Sequence, residues 1–380
     1  MKFTPFVING KPLASLSIGC MRFQNEKETD SVINKCVENG VSYLDTSPSY
    51  CFQTEEENCE AWVGRSIKHI REKVILSAKS SPGNGGFKIG DLDISHGFSV
   101  NRADDVRRII EQSLTRMDVS YFDCYQMWSV NNIHVFSEAI KPNGWLDGAL
   151  KAKSEGLLKH IGITGHADVD AWKVFIDSGY FEMITLPFNM FSADRIPCIK
   201  YALSRNIAVL AMNPLGGGLL TIKNDNDFYD LFKRAGVKSI SELSLKYCDA
   251  YGVSSLSGMA CEKEAIENCN AYASPPFTEK QAESYRASML QSIDSVKFKC
   301  TSCGYCSPCP RGINISEVLR LYNWYTVLKL EGAKRKMIDS ATWGKGFNFS
   351  DCIACGKCEA KCPNNVPVQR YMKEIAKWTV

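Results

Sequence analysis

Residues 183–211 read MITLPFNMFSADRIPCIKYALSRNIAVLA, and their pattern decides the fold. A short apolar run, Met183–Leu186, comes first, a helical pattern follows over Ile196–Ser204, and Ile207–Ala211 is a second apolar run. Short apolar runs bounded by turn residues read as buried strands, and apolar residues three and four apart read as a helix face. Strand, helix, strand is one unit of a parallel α/β arrangement. The same alternation recurs outward from this unit. Strand-like segments fall at Leu13–Ile18, Val41–Asp45, Val74–Ala78, Tyr121–Met127, His160–Thr164 and Ser254–Leu256. Helical patterns lie between them at Thr29–Asn39, Ala103–Arg116, Gly148–Glu155, Asp170–Ser178 and Ser241–Tyr251. Eight strands alternating with helical patterns predict an α/β fold, the (β/α)8 TIM barrel. The rival is an open doubly wound sheet, but the first strand lacks a G-x-G-x-x-G turn before a helix. Ahead of the barrel, Asn9-Gly10 reads as a hairpin turn between two strand-like runs.

Composition narrows the function classes. The 380 residues are 44% hydrophobic and 23% charged, with a net charge of +3. That is enough apolar material for a sizeable core, and too little basic excess for a nucleic-acid or anionic-membrane role. No stretch approaches the roughly 18 uninterrupted apolar residues of a membrane span. The opening MKFTPFVINGKPL has no apolar core of a signal peptide, so a cytoplasmic location is expected.

Of the 17 cysteines, eight fall into two tight runs after residue 299. The first is Cys300-x2-Cys303-x2-Cys306-x2-Cys309-Pro310, and the second is Cys352-x2-Cys355-x2-Cys358-x3-Cys362-Pro363. Three thiolates at this spacing can wrap three corners of a cubane, and in two-cluster ferredoxins the fourth Cys of each run ligates the other cluster. The reading is two [4Fe–4S] clusters. One takes Cys300, Cys303, Cys306 and Cys362, and the other takes Cys352, Cys355, Cys358 and Cys309. The first run has x2 rather than x3 before its last Cys, which a crossing ligand tolerates. Structural zinc is the competing reading, and a third Cys at the same spacing followed by Cys-Pro does not fit its paired Cys-x2-Cys pattern. Between barrel and cysteines, Ser274-Pro275-Pro276 breaks the chain and Thr278 reads as the N-cap of a helix over Glu279–Ser292. A further helical pattern covers 316–340. The expected domains are a barrel over 1–272, a connecting helix within 273–299 and a mostly helical ferredoxin-type iron–sulfur domain over 300–380.

Barrels of this kind place chemistry on the loops that follow the strands. Asp45 and Tyr50 follow the second strand, and Lys79 ends the third. Trp128 follows the fourth, Thr164 and His166 the fifth, and Asn189 the sixth. Gly216, Gly217 and Gly218 follow the seventh, and Gly258 the eighth. A buried Asp–Lys pair keeps an ammonium near the phenol, which is expected to lower the Tyr50 pKa and improve it as a proton donor. The glycine run offers exposed backbone N–H groups for phosphate.

The motifs LDTSPSY (44–50), ILSAKSS (75–81), SYFDCYQMWSVN (120–131), GLLKHIGITGH (156–166), LPFNMF (186–191) and AMNPLGGGLL (211–220), with the two cysteine runs, resemble the aldo/keto reductase family in its iron–sulfur branch. The resemblance implies NADPH or NADH at the C-terminal face of the barrel. It also implies a tetrad of Asp45, Tyr50 as general acid, Lys79, and a His where this sequence has Trp128. An indole donates one hydrogen bond but shuttles no proton; His166, at the mouth of the next strand, is read either as taking over part of that role or as a partly buried polar residue with no catalytic task. Thr164, Asn189, Gly216, Gly217 and Gly218 are the implied cofactor contacts, with Met212 where many members stack an aromatic ring. Gly258 and Asn268 join them from the eighth strand and the segment after it. Glu264 lies near the place where an Arg often meets the 2′-phosphate, so the choice of dinucleotide stays open. The expected activity is NAD(P)H-linked reduction or oxidation of a small organic substrate, with electrons passing through the clusters to or from a ferredoxin-like or other redox partner. The alternative is an electron-transfer or binding protein on a degenerate barrel.

Overall fold

Asn9 and Gly10 turn the chain at its start, both with positive φ (48° and 76°). They join β1 (Phe3–Ile8) to the antiparallel β2 (Lys11–Ala14), the hairpin that the Asn-Gly pair predicts. The structure is a computed structural model that describes residues 1–83, 88–89, 92–93, 100, 102–221, 231–292, 300, 304–326, 333–335, 337–338 and 349–378. The chain divides into two compact units. The first is Met1–Gly85, Ser95–Pro214 and Ser241–Ala282, and the second is Gly86–Ile94, Leu215–Ile240 and Glu283–Val380.

In the first unit the single strand expected over Leu13–Ile18 is two strands. The break falls at Ser15, where the chain leaves the hairpin and β3 (Leu16–Gly19) begins. The Ser15 carbonyl accepts from Ser255 N at 2.8 Å, which pins the break to the last barrel strand. Next come β4 (Tyr43–Asp45) and β5 (Ile75–Ser80). In the second unit, β6 (Lys88–Ile89) and β7 (Leu92–Asp93) form a small antiparallel pair. The barrel resumes with β8 (Phe122–Met127), β9 (Leu158–Thr164), β10 (Met183–Pro187), β11 (Ala208–Met212) and β12 (Ser254–Gly258). The eight barrel strands are parallel to their neighbours, and β12 pairs with β3 to close the ring. Closure excludes the open-sheet alternative.

The helices between strands follow the sequence patterns within a few residues, as in Ala103–Met117, Val169–Asp177 and Ile196–Ser204. Their starts are chemically marked. The side chains of Asn25, Asn58 and Asp168 accept from the backbone N–H of Glu28, Ala61 and Ala171, which satisfies donors that a helix start leaves unpaired. The helix Cys59–Ile67 is not among the helices the sequence reading names; seven of its nine residues are buried, Glu60 and Gly64 among them.

The hairpin closes the barrel's N-terminal end. Ile8 and Leu13 pack with Tyr43, Ile75, Cys124, Met183 and Leu210 in one buried cluster. Beside it, the fully buried Asp123 accepts from Asn9 Nδ2 (2.8 Å), Lys11 Nζ (3.0 Å) and Leu76 N (2.9 Å), and pairs with Arg71 (2.8 Å).

In the second unit the helices Ile315–Thr326 and Val368–Ala376 build a core of Val318, Leu319, Tyr322, Tyr371, Met372 and Ile375. Tyr322 stacks on Trp378 at 5.5 Å. The helix expected over 316–340 is observed as Ile315–Thr326 with helical residues at 333–335 and 337–338, and the rest of that stretch lies outside the described residues. The helix Glu279–Ser292 begins as expected at Thr278. Thr278 Oγ1 accepts from Gln281 N at 3.2 Å and Gln281 Oε1 accepts from Thr278 N at 2.9 Å, a reciprocal capping box. Among the described residues no helix is long and apolar enough to cross a membrane.

Candidate active site and cysteine-lined cavities

Strand register brings the expected residues together. Asp45 closes β4 beside Ser77 of β5, and Lys79 of β5 sits level with Gln126 of β8. Side chains alternate along a strand, so Tyr43 and Asp45, Ser77 and Lys79, and Cys124 and Gln126 share the inner face. The Lys79 ammonium donates to Asp45 Oδ2, and the two side chains are only 3% and 5% exposed. Burying two charges is tolerated here because each has the other as its partner. The second oxygen, Asp45 Oδ1, accepts from Gln126 Nε2 at 2.7 Å.

Tyr50 reaches this pair through a short turn. Its N donates to Ser47 O at 3.0 Å, and its carbonyl accepts from Cys59 N at 3.1 Å. The Lys79 ammonium lies 4.8 Å from the centroid of the Tyr50 ring. Trp128, buried at the end of β8, meets that ring edge-on at 6.3 Å and 83°. Asp45, Tyr50, Lys79 and Trp128 therefore form one cluster. The protonation runs opposite to the expectation. Burial first, and the Asp45 carboxylate second, hold the Tyr50 phenol well above its usual range. Lys79 does not reverse this because its charge is already matched by Asp45. The phenol keeps its proton at neutral pH.

The other expected residues sit on the neighbouring strand ends. Thr164 closes β9, and its carbonyl accepts from Val130 N at 3.0 Å. His166, half-buried, has its backbone N held by Asn131 Oδ1 at 2.8 Å, which ties the loops after β8 and β9 together. Asn189 braces its own loop, donating to Asn213 O and accepting from Phe191 N, both at 2.8 Å. Met212 closes β11 and is half-buried. Gly258 closes β12, where a Cβ would come 2.7 Å from Arg22 Cγ. Asn268 donates to Ser257 Oγ at 2.9 Å and holds the helix Glu262–Asn270 on β12. Glu264 accepts from Ala260 N at 2.8 Å, at the start of that same helix. A hydroxyl, side-chain amides and a polarisable thioether at these strand ends suit a flat ring bearing a carboxamide.

In the second unit Gly216 and Gly217 have φ of 58° and 66° and open the turn Gly216–Thr221, which contains Gly218. Such a backbone suits the approach of a phosphate.

The cysteines surround two cavities of this unit. One is lined by Cys300, Cys306 and Cys362 together with Gly304 and Pro363. The other is lined by Cys309, Cys352, Cys355 and Cys358, with Cys306 also at its wall. Cys303 lies outside the described residues. The crossing is present: the last Cys of each run lines the cavity of the other run. Arg311 N and Val366 N each lie 3.4 Å from a sulfur, Cys309 Sγ and Cys362 Sγ respectively. Among the described residues no three Cys, His, Asp or Glu side chains are grouped to hold a single metal ion. The thiols are instead spread around cavities, an arrangement suited to a multi-iron cluster.

The sequence reading missed Gln126 and Thr185. The available signal was a Gln in YFDCYQM, a strand otherwise fit for burial, at an inward position.

Residues 15–289 match the family described as "Aldo/keto reductase family", and residues 299–367 match "4Fe-4S dicluster domain". The uncharacterised oxidoreductase YqkF of Bacillus subtilis is 25% identical over 233 residues, 60% of this chain and 70% of that protein. L-galactose dehydrogenase of Arabidopsis thaliana is 24% identical over 238 residues, 60% of this chain and 67% of that protein. Among solved structures, the holo form of aldo-keto reductase AKR11C1 from Bacillus halodurans superposes with a TM-score of 0.59 at 19% identity, covering 76% of this chain and 95% of that one. An aldo/keto reductase from Klebsiella pneumoniae in complex with NADP and acetate gives 0.58 at 16% identity, with the same coverage. These two structures show the shared fold.

Proposed function

The chain belongs to the aldo/keto reductase family and is an oxidoreductase with a 4Fe-4S domain, and on that premise we propose a nicotinamide-linked reaction on a small organic substrate at the C-terminal end of the barrel. A bound nicotinamide supplies or accepts hydride. Thr164, Asn189, Met212, Gly258 and Asn268 are its proposed contacts. Tyr50 carries the proton. Its phenol, protonated at neutral pH, is the hydroxyl placed to give that proton to an oxygen that gains charge. The Lys79 ammonium, held by Asp45, lies against the Tyr50 ring. Trp128 narrows the pocket and offers one indole N–H in place of an imidazole, and His166 is the nearby group able to exchange a proton. We assign the two cavities to two [4Fe–4S] clusters, which move single electrons to or from a small redox partner.

The observation that carries this reading is the Asp45–Lys79 pair set against the Tyr50 ring. Calorimetry of NADPH and NADH against anaerobically purified, cluster-loaded protein tests it. Micromolar binding of either dinucleotide is expected. Absence of binding to both would leave the barrel as an electron-transfer or binding scaffold. Trp128→His is expected to raise reduction of p-nitrobenzaldehyde by at least about tenfold, and no gain would mean that the pocket serves another reaction.

A further inference from the structure

Beneath the Asp45–Lys79 pair the barrel interior is polar. Tyr43 on β4, Ser77 on β5, Gln126 on β8 and Thr185 on β10 are each no more than 3% exposed. Barrel interiors are ordinarily filled by branched apolar side chains, and a buried amide is costly unless its bonds are made. Gln126 makes them. Its Nε2 donates to Asp45 Oδ1 at 2.7 Å and Ser77 Oγ at 3.0 Å, with Tyr43 OH at 3.4 Å. Its Oε1 accepts from Thr185 Oγ1 at 2.7 Å. The amide can be oriented only this way, since the reverse would set its oxygen against a carboxylate. The fold leaves room for it: register sets Gln126 opposite Gly162 of β9, where a Cβ would come 3.1 Å from Gln126 Cγ.

We infer that Gln126, braced by Thr185, is a positioning residue that holds the Asp45 carboxylate so that Oδ2 meets Lys79 beneath the Tyr50 ring. It acts through Asp45. Of the two carboxylate oxygens, one faces Gln126 and the other Lys79, so turning the carboxylate would break both contacts. A charge-assisted hydrogen bond in a dry interior is strong enough to resist that turn. The inference rests on the role proposed for Asp45, Lys79 and Tyr50, but the hold on Lys79 is measurable without turnover.

The test compares full-length, cluster-loaded wild type with Gln126→Leu, Thr185→Val and the double variant. Reductive methylation of lysines, read peptide by peptide by mass spectrometry, reports how firmly Lys79 is held. Lys246, also buried at 4% and bonded to Ser274 Oγ at 2.7 Å, is the internal control. Gln126→Leu is expected to speed Lys79 methylation about tenfold or more and to leave Lys246 unchanged. Thr185→Val is expected to give a smaller rise alone and none once Gln126 is Leu, because it acts through that residue. Steady-state NADPH oxidation with p-nitrobenzaldehyde should lose kcat in the same order, with a displaced pH profile and nearly constant KM. Wild-type labelling of Lys79 in Gln126→Leu overturns the inference. So does a parallel rise at Lys246, which marks general loosening, or additivity of the two substitutions. Should Gln126→Leu fail to fold, Thr185→Val alone decides, and wild-type labelling there overturns it. If Lys79 responds as expected while neither wild type nor any variant oxidises NADPH, the nicotinamide reading fails and the positioning role stands.

Discussion

The Lys79 ammonium lies 4.8 Å from the centroid of the Tyr50 ring while its charge is paired with Asp45. One cation thus serves two neighbours, and the two can be separated by substitution. Tyr50→Phe keeps the ring on the ammonium and removes only the hydroxyl. Stability should stay within about 0.5 kcal/mol, while kcat for NADPH-dependent reduction of p-nitrobenzaldehyde should fall about a hundredfold or more with little change in KM. Lys79→Met leaves the Asp45 carboxylate buried beside Gln126 with no cation. That should cost about 3–5 kcal/mol, read by urea unfolding.

Asp123 predicts an acid-sensitive floor to the barrel. Burial alone would raise its pKa, but the hydrogen bonds from Leu76 N, Asn9 and Lys11, with the Arg71 charge, hold it below the usual carboxylate range. A depressed folded pKa contributes stability that is present above the unfolded value of about 3.9 and is lost as pH falls through the folded value. Asp123→Asn should therefore lower the thermal midpoint at pH 7, by the equivalent of about 3 kcal/mol or more. The gap between variant and wild type should narrow as pH falls below about 4. A gap independent of pH would mean that packing, rather than charge, holds the hairpin.

How far the sequence reaches is clear from these residues. The barrel was legible because buried parallel strands are continuous apolar runs and the helices between them are amphipathic. Asp45, Tyr50 and Lys79 were legible because strand ends are where such barrels place chemistry. The helix Cys59–Ile67 was not: its buried residues include Glu60 and Gly64, so residue type does not mark the buried face. Gln126 was missed because its meaning depends on register: only the pairing of Lys79 with Gln126 and of Gln126 with Gly162 puts its amide against Asp45. The direction of the Tyr50 shift was missed because charge was weighed without burial.

Gly165 makes a prediction about the mouth of the barrel. A Cβ there would lie 2.0 Å from Val130 O, a backbone atom that cannot swing aside. The loops after β8 and β9 approach this closely because Val130 N donates to Thr164 O at 3.0 Å. Gly165→Ala should push Val130, and with it Trp128 two residues earlier, out of place. A loss of about 1–3 kcal/mol is expected from overpacking, read by thermal unfolding and by a change in Trp fluorescence. An unchanged midpoint would show that the two loops separate freely.

The crossed cysteines give the sharpest test of the cluster assignment. Cys309 belongs in sequence to the first run but lines the cavity of the second, with Cys352, Cys355 and Cys358. Cys362 belongs to the second run and lines the cavity of Cys300 and Cys306. If each cavity takes one cubane, each crossing ligand completes the cluster of the other run. Cys309→Ala should then damage the cluster of Cys352, Cys355 and Cys358 and spare the other, and Cys362→Ala should do the reverse. After anaerobic reconstitution each variant should keep about half the wild-type iron. EPR of the reduced proteins should show a different surviving signal in each, and the magnetic interaction between the clusters should vanish from both. Equal damage to both clusters from either substitution would mean that the two centres assemble as one unit. Full iron in either variant would mean that the substituted cysteine is no ligand.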